Sequence, residues 1–181
     1  MNSGYAVGST VEWKRRWLVP PVYSPGAKNL AGRRMSECNS IMFTFTTYGM
    51  WLRGDERGWV YDKQWHPPSA ALEAADRASL NHAPFEFEKG QLHTIGQMIG
   101  RSLIERQQQI ILALAVRSWH LHFIVGETKF GAPEIAKCAK DAVRWGLRLN
   151  RPIWTADYDK RFSYDEKTTR SRIEYVEQHN V

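Results

Sequence analysis

Residues 119–126 have the sequence Trp-His-Leu-His-Phe-Ile-Val-Gly, which predicts a buried β-strand because apolar, β-branched and aromatic side chains dominate it. Strand side chains alternate between the two faces of a sheet, so His120 and His122 should emerge on one face. Leu121 and Phe123 should go to the other. Two imidazoles at this spacing, with Cα atoms roughly 6–7 Å apart, can converge on one metal ion. A pair of histidines hydrogen-bonded to backbone at the edge of the core is the alternative interpretation.

Residues 172–180, Arg-Ile-Glu-Tyr-Val-Glu-Gln-His-Asn, predict a helix, since an apolar pair three residues apart is flanked by charged residues. On a helix, Tyr175 and His179 are four residues apart and share a face, with Arg172 one turn earlier on the same side. A phenol, an imidazole and a guanidinium are therefore expected to point together. The alternative is that Tyr175 anchors an amphipathic helix to the core, while His179 is a solvated or capping residue.

The strand and the helix together resemble the HUH superfamily of single-strand DNA nucleases, specifically its single-tyrosine transposase branch and the related REP-associated tyrosine transposases. The matching residues are His120-Leu121-His122, the downstream Tyr175 and, four residues later, His179, where relatives more often carry Gln or Asn. The further matches, which extend the resemblance from about Ile41 to the C-terminus, are residues 43–52, 54–59, 151–154 and 158–159. Relatives usually have Pro-Asn before the first motif histidine, whereas this chain has Ser118-Trp119.

The resemblance implies a metal-dependent single-stranded DNA endonuclease and strand transferase that acts on hairpin-bearing DNA in transposition or recombination. Tyr175 would be the nucleophile and would form a 5′-phosphotyrosine intermediate. His120, His122 and His179 would hold a divalent metal, Mg²⁺ or Mn²⁺. By ligand preference alone, three imidazoles also suit Zn²⁺. Gln178 is the alternative third ligand if His179 faces solvent, and a homodimer is an alternative to a single working unit.

The predicted elements from Ile41 onward follow the order strand, helices, hairpin, helix, strand, helix. Four strands with helices packed on one face make an α+β fold, a ferredoxin-like sandwich with a four-stranded antiparallel sheet. The resemblance implies the same fold. The predicted strands are 41–49, 110–116, 119–126 and 153–164, and the predicted helices are 67–80, capped by Ser69, 90–109, 133–149, and a last one capped by Asp165.

The chain of 181 residues is long enough for one domain with a sizeable core. We expect a flexible basic leader at residues 1–39 and an HUH transposase-like nuclease domain at 40–181. The balance of 25 basic and 19 acidic residues gives a net charge of +6, which suits a polyanionic partner without requiring one. Two widely separated cysteines indicate neither a disulfide framework nor a Cys-rich zinc site. No apolar run predicts a membrane span or a signal peptide, so a soluble cytoplasmic protein is expected.

The loop at residues 50–68 is rich in glycine and charge and contains the first candidates for contacts to DNA. Arg53 and Arg57 alternate there with three tryptophans, and aromatic rings interleaved with arginines suit base stacking and phosphate pairing on a single strand. A hydrophobic cluster that pins a long loop is the alternative interpretation. His66, in the same loop, is a weaker candidate for an additional metal ligand.

The helix at 133–149 predicts a basic ridge over a buried stripe. The expected stripe residues are Ile135, Cys138, Ala142, Trp145 and Leu149, and the candidate nucleic-acid-binding residues are Lys137, Lys140, Arg144 and Arg148, joined by Arg172 of the last helix. Ten basic and five acidic residues lie between Lys137 and Arg172, an excess of +5 that should sit next to the catalytic site. A solvated helix face is the alternative.

Two other functions fit the same residues. A domesticated nucleic-acid-binding module of the same fold would bind DNA or RNA without cutting it, and would not need Tyr175. A structural metal-binding protein would use His120, His122 and His179 to hold the fold together, and chelation of the metal would unfold it.

Overall fold

The structure, a computed structural model, describes residues 38–61 and 64–179. Almost all of the predicted leader, residues 1–37, lies outside these ranges. The elements in the described part of the chain are β1 (Ser40–Thr46), β2 (Trp59–Tyr61), β3 (Gln64–His66), α1 (Ala70–Ala78), a 3₁₀ turn (Lys89–Gln91), α2 (Leu92–Gln107), β4 (Ile111–Val116), β5 (His120–Gly126), α3 (Ala132–Leu147), β6 (Asp159–Ser163) and α4 (Glu166–Gln178). None of these helices is long and apolar enough to cross a membrane.

The main sheet has four strands in the order β4-β5-β1-β6, and every neighbouring pair is antiparallel. The strand β5 therefore lies beside β1 in the middle of the sheet. In this register Thr44 of β1 is directly opposite His122 on one side and Asp159 on the other. The predicted α+β class and four-stranded antiparallel sheet are confirmed, as is the antiparallel hairpin of β4 and β5.

One face of the sheet is covered by α2 and α3. The rings of Phe43 and Phe123 stack on this face at 4.7 Å between centroids, and Phe45 meets Phe123 edge-on at 5.3 Å. Ile95 of α2 and Ile135 of α3 are fully buried against the same cluster. This is the principal hydrophobic core.

The last helix, α4, lies on the opposite face of the sheet. Its Val176 is fully buried in a second, smaller cluster with Met42, Ala115 and Ile124. These strand residues alternate with those of the principal core, so they point the other way. The expectation that the helices pack on one face holds for α2 and α3 and is wrong for α4. The physical reason is that the main face is already filled by aromatic rings, while the small Ala115 leaves room for a helix with a narrow apolar stripe.

Two local expectations differ from the structure. The sequence predicts the last strand from Ile153, but β6 begins at Asp159. Residues 153–155 bond to residues 46–48 as an isolated bridge, and the carbonyls of residues 155–157 accept hydrogen bonds from Lys140 Nζ, which interrupts the strand. Trp145 and Leu149 are 69 % and 41 % exposed, so their assignment to the buried stripe of α3 is wrong. Ile135 is buried as predicted, and the other buried positions are Ala132, Ala136, Ala139 and Val143.

Candidate metal centre

Three histidines meet on the face of the sheet that α4 covers. His120 and His122 come from β5, two residues apart, and His179 follows the last turn of α4. One nitrogen from each ring lies within 4.8 Å of the other two. Two nitrogens bound to one zinc-like ion lie at most about 4.2 Å apart, because each bond is about 2.0–2.1 Å long. In a tetrahedral site the nitrogens would lie about 3.4 Å apart, so side-chain movements of about 1 Å would bring all three within bonding distance of one ion. His179, and not the exposed Gln178, is the third member.

The tautomer of His179 is determined by its own helix. Its Nδ1 lies 2.8 Å from the backbone carbonyl oxygen of Tyr175. A carbonyl oxygen only accepts hydrogen bonds, so Nδ1 must carry the proton and donate it. The lone pair is then on Nε2, which is the form that binds a metal ion.

His122 is held by a residue that sequence reasoning missed. Its Nδ1 lies 2.9 Å from Thr44 Oγ1. When Nδ1–H donates to that hydroxyl oxygen, Nε2 is unprotonated and free to bind a metal. Thr44 is 78 residues away and becomes a neighbour only through the pairing of β1 with β5, so no local pattern marks it.

His120 supplies a further sign that the cluster fits a ligand. Its Nδ1 is buried and has no hydrogen-bond partner among the described residues. An unsatisfied buried polar atom costs about 1–3 kcal/mol, so proteins rarely keep one without a purpose. The unpaired nitrogen of His120, together with the oriented rings of His122 and His179, makes a set of nitrogen donors that suits a divalent metal ion.

Burial keeps the two strand histidines neutral. Burial is the largest cause that lowers the pKa of His120 to about 4, and the charge of His179 is the next largest. Burial is also the largest cause that lowers the pKa of His122 to about 3, and the charges of His120 and His179 come next. Nearby cations act in the same direction, and they are Arg57, Arg117 and Arg161. Both imidazoles therefore offer lone pairs at neutral pH.

The lowered pKa values predict an acid-sensitive metal-free protein. Above the ordinary pKa of 6.5, His120 and His122 are neutral in both the folded and the unfolded state. Below it the unfolded chain takes up protons first, so the free energy of unfolding falls as the pH drops toward the folded values of about 4 and about 3. Urea titrations in EDTA across this pH window should show the fall in the free energy of unfolding. The substitution His122→Asn should make that free energy depend less steeply on pH. An unchanged slope would contradict the assignment.

Thr44 offers a second test. Thr44→Val keeps the shape of the side chain but removes the hydroxyl that orients His122, so affinity for Mn²⁺ should fall about 10- to 100-fold. Thr44→Ser should retain the affinity. The control is Thr94→Val on α2, because Thr94 is exposed on the other side of the sheet from the histidines. Calorimetric titration gives the affinities, and equal losses in both valine variants would exclude an orienting role.

Tyr175 is exposed beside the histidine cluster. Its side chain is 45 % exposed, and its ring centroid lies 4.5 Å from that of His179 and 5.4 Å from that of His122. Burial of Val176, the next residue, holds this part of α4 against the sheet. The predicted convergence of the phenol and the imidazoles is therefore present, and solvent reaches the phenol.

Arg172 has a different role from the one expected. One terminal nitrogen of its guanidinium donates to the carbonyl oxygen of Arg161 and to Ser163 Oγ, both at 2.8 Å. These bonds tie α4 to β6. The guanidinium therefore does not join Tyr175 and His179 as predicted, and it stabilises the position of the helix that carries them.

The two loop arginines are also held by internal contacts. Arg53 makes a two-pronged ion pair with Asp76 of α1, at 2.9 and 2.6 Å. Arg57 pairs in the same way with Asp55, and its guanidinium lies 4.4 Å from the ring centroid of Trp119. Arg57 is still partly exposed and adjoins the cluster, because Trp119 packs against His120.

The basic ridge of α3 lies on the other side of the sheet from the histidines. Lys137 pairs with Asp141, and Lys140 is half-buried and bonded to backbone carbonyls, while Arg144 and Arg148 are exposed. The expectation that this ridge adjoins the site is wrong, because α3 and α4 cover opposite faces. The cations beside the cluster are Arg57, Arg117 and Arg161. Arg117 is near because it lies three residues before His120, whereas Arg161 comes near only through the pairing of β6 with β1.

Comparisons with known proteins give a likeness of fold. No family model and no curated protein matches this sequence. Two transposase structures resemble it. One is a REP-associated tyrosine transposase bound to a REP hairpin, with 14 % identity and a TM-score of 0.49 over 86 % of this chain and 76 % of the other. The second is a candidate transposase from Deinococcus radiodurans R1, with 14 % identity and a TM-score of 0.42 over 86 % of this chain and 99 % of the other.

Proposed function

We propose that this protein is a metal-dependent endonuclease and strand transferase for single-stranded, hairpin-bearing DNA, with Tyr175 as its nucleophile. The observation that carries the proposal is the exposed phenol of Tyr175, whose ring lies 4.5 Å from His179 and 5.4 Å from His122 within an assembled imidazole cluster. A nucleophile beside a candidate Lewis-acid site is the arrangement that phosphoryl transfer requires.

In the proposed reaction, Tyr175 Oη attacks the phosphorus of a DNA phosphodiester. The bond from phosphorus to the 3′ oxygen breaks as the bond to the phenolic oxygen forms, and the proton lost by the phenol appears on the released 3′ hydroxyl. The product is a 5′-phosphotyrosine. A 3′ hydroxyl from another strand can reverse the step and join the DNA, because the covalent link conserves the energy of the phosphodiester. Cleavage thus leads to strand transfer.

His120, His122 and His179 would hold the metal ion through neutral imidazole nitrogens. When bound, a divalent ion supplies positive charge that polarises the scissile phosphate and neutralises its oxygens. No carboxylate belongs to the described cluster, so the ligands leave the charge of the ion undiminished. The neighbouring Arg57 and Arg117 add positive potential at the same edge, which favours an anionic substrate.

A purely structural metal site fits the arrangement less well. Structural zinc sites are closed by four protein ligands, whereas catalytic sites use three and leave a position open. The cluster here has three histidines, and His120 and His179 are only partly buried. Three described ligands with an exposed tyrosine beside them favour an enzyme over a metal-stabilised scaffold.

The test is incubation with hairpin-bearing single-stranded oligonucleotides and Mn²⁺, followed by a denaturing gel. We expect a slowly migrating band that contains both protein and DNA, together with a released strand that ends in a 3′ hydroxyl. Proteinase treatment should collapse the band to a short peptide on the DNA. Failure to form the band over varied hairpins and with Mg²⁺, Mn²⁺ or Zn²⁺ would favour the non-cleaving binding module.

A further inference from the structure

The hairpin of β2 and β3 is a feature that the sequence did not predict and that the proposed chemistry does not use. Within the described residues its two strands pair with each other, in a sheet separate from the main one. Trp59 is opposite His66, and their rings stack at 4.5 Å between centroids. An isolated two-stranded hairpin is only marginally stable, so contacts between its own side chains, such as this stack, help to hold it.

The hairpin exposes aromatic rings on both of its faces. Tyr61 is 64 % exposed on the face that bears Trp59 and His66, and Trp65 is 65 % exposed on the other. The described side chains of β2 and β3 include no carboxylate, lysine or arginine. Exposed aromatic side chains grouped in this way mark a binding surface, and indole and phenol rings suit flat ring systems such as bases.

The orientation of Trp65 depends on a glycine. Gly58 has a φ of +82°, and a Cβ at this position would lie 2.4 Å from the indole nitrogen of Trp65. The indole therefore lies directly against the backbone, which leaves its outer side open to solvent. The carbonyl oxygen of Gly58 also accepts a hydrogen bond of 3.0 Å from Trp51 Nε1, so the base of the hairpin is fixed.

The base of the hairpin is joined to the candidate metal centre by a short series of contacts. Arg57 lies immediately before Gly58 and over the ring of Trp119, at 4.4 Å. The ring of Trp119 is 4.0 Å from that of His120, between centroids. Arg57 and Trp119 thus connect the base of the hairpin to the histidine cluster through adjoining contacts.

We infer that the β2–β3 hairpin is a base-stacking arm that holds unpaired DNA bases beside the metal centre, through Tyr61 and Trp65 above all. The inference rests on the proposed function, because it takes single-stranded DNA as the ligand. Every base has a flat aromatic face, so stacking on phenol and indole rings is tolerant of sequence. The exposed rings lie on both faces of the hairpin. Separate DNA bases can stack on both faces, whereas a protein partner with one flat surface would cover only one of them.

The experiment measures DNA binding by fluorescence anisotropy in EDTA, so that no cleavage interferes. The first probe is a labelled DNA hairpin with an unpaired flank, and the second is the same hairpin with an abasic flank. We expect Trp65→Ala to weaken binding of the first probe about tenfold and to leave the second unchanged. Tyr61→Ala should act in the same way, and Trp65→Phe should retain most of the affinity.

The matched control is Trp145→Ala, which removes an equally exposed indole from α3 on the far side of the sheet. It should leave both affinities unchanged. Thermal melting checks that each variant folds, and Tyr61→Ala carries the test alone if Trp65→Ala does not fold. Equal binding by the wild-type protein and both hairpin variants would overturn the inference. So would a dimer in light scattering that the hairpin variants dissociate without any change in DNA affinity.

The two proposals fail separately. If the wild-type protein forms no covalent product but binds the unpaired flank through Tyr61 and Trp65, the base-stacking arm is supported and the nuclease function is contradicted. If the wild-type protein forms the covalent product and the β2–β3 hairpin variants bind both probes normally, the nuclease function is supported and the base-stacking arm is contradicted. The EDTA in the binding assay keeps the first result independent of catalysis.

Discussion

Tyr175→Phe is expected to abolish the covalent protein–DNA product and to reduce strand cleavage about 10³-fold or more, because removal of a nucleophile leaves only binding and electrostatic effects. The substitution deletes one oxygen from a side chain that is 45 % exposed, so folding and metal binding should not change. DNA affinity in EDTA should also stay within about twofold, because a surface substitution that removes no buried contact has little effect.

The measurement is the denaturing gel with hairpin-bearing DNA and Mn²⁺, quantified for the protein-linked band and for the cleaved strand. Tyr164→Phe is the matched control, since Tyr164 is 60 % exposed and follows β6, away from the histidine cluster. It should retain full activity. A protein-linked band that persists in Tyr175→Phe would show that another residue attacks the phosphate.

His122→Ala should have the second largest effect. The substitution removes one of the three proposed nitrogen ligands, and we expect Mn²⁺ affinity and cleavage each to fall about 100-fold or more, beyond the loss typical when a residue that only orients a ligand is changed. His179→Ala tests the same point at a partly buried position on α4, where truncation leaves the core intact. Calorimetry and the cleavage assay should therefore report parallel losses.

His93→Ala is the control for the metal experiment, because His93 is exposed on α2, on the other side of the sheet. It should change neither affinity nor activity. Thermal melting with and without EDTA separates the remaining alternatives. A catalytic site predicts a modest shift, whereas unfolding on chelation would indicate a structural metal. Full activity in His122→Ala would remove the basis of the proposed centre.

Local patterns in this chain predicted local structure well. Ser69 and Asp165 were expected to cap helices, and the structure shows their side chains accepting hydrogen bonds from the backbone of Leu72 and Thr168. The alternation of residues 120–126 put His120 and His122 on one face. Such features depend on neighbours within a few residues, so the sequence contains all the information they need.

Predictions that required distant residues succeeded less often. The basic ridge of α3 was placed beside the site, although α3 covers the other face of the sheet. The assignment of Arg53 and Arg57 to DNA stays a prediction; the structure adds that they form ion pairs with Asp76 and Asp55 while their side chains are 55 % and 41 % exposed. Composition reports that a surface is basic, but only the packing of helices and loops decides which cations already have a protein partner.

The sequence by itself determined two half-sites: a pair of imidazoles two residues apart on a strand, and a phenol and an imidazole four residues apart on a helix. The periods of strand and helix suffice for that. Tertiary structure alone decided that the halves meet, because α4 crosses the face of the sheet that bears the histidines and is held there by Val176 against Met42 and Ile124. The same pairing of distant strands brings Thr44 to His122, since residues 78 positions apart become neighbours only when the sheet has formed.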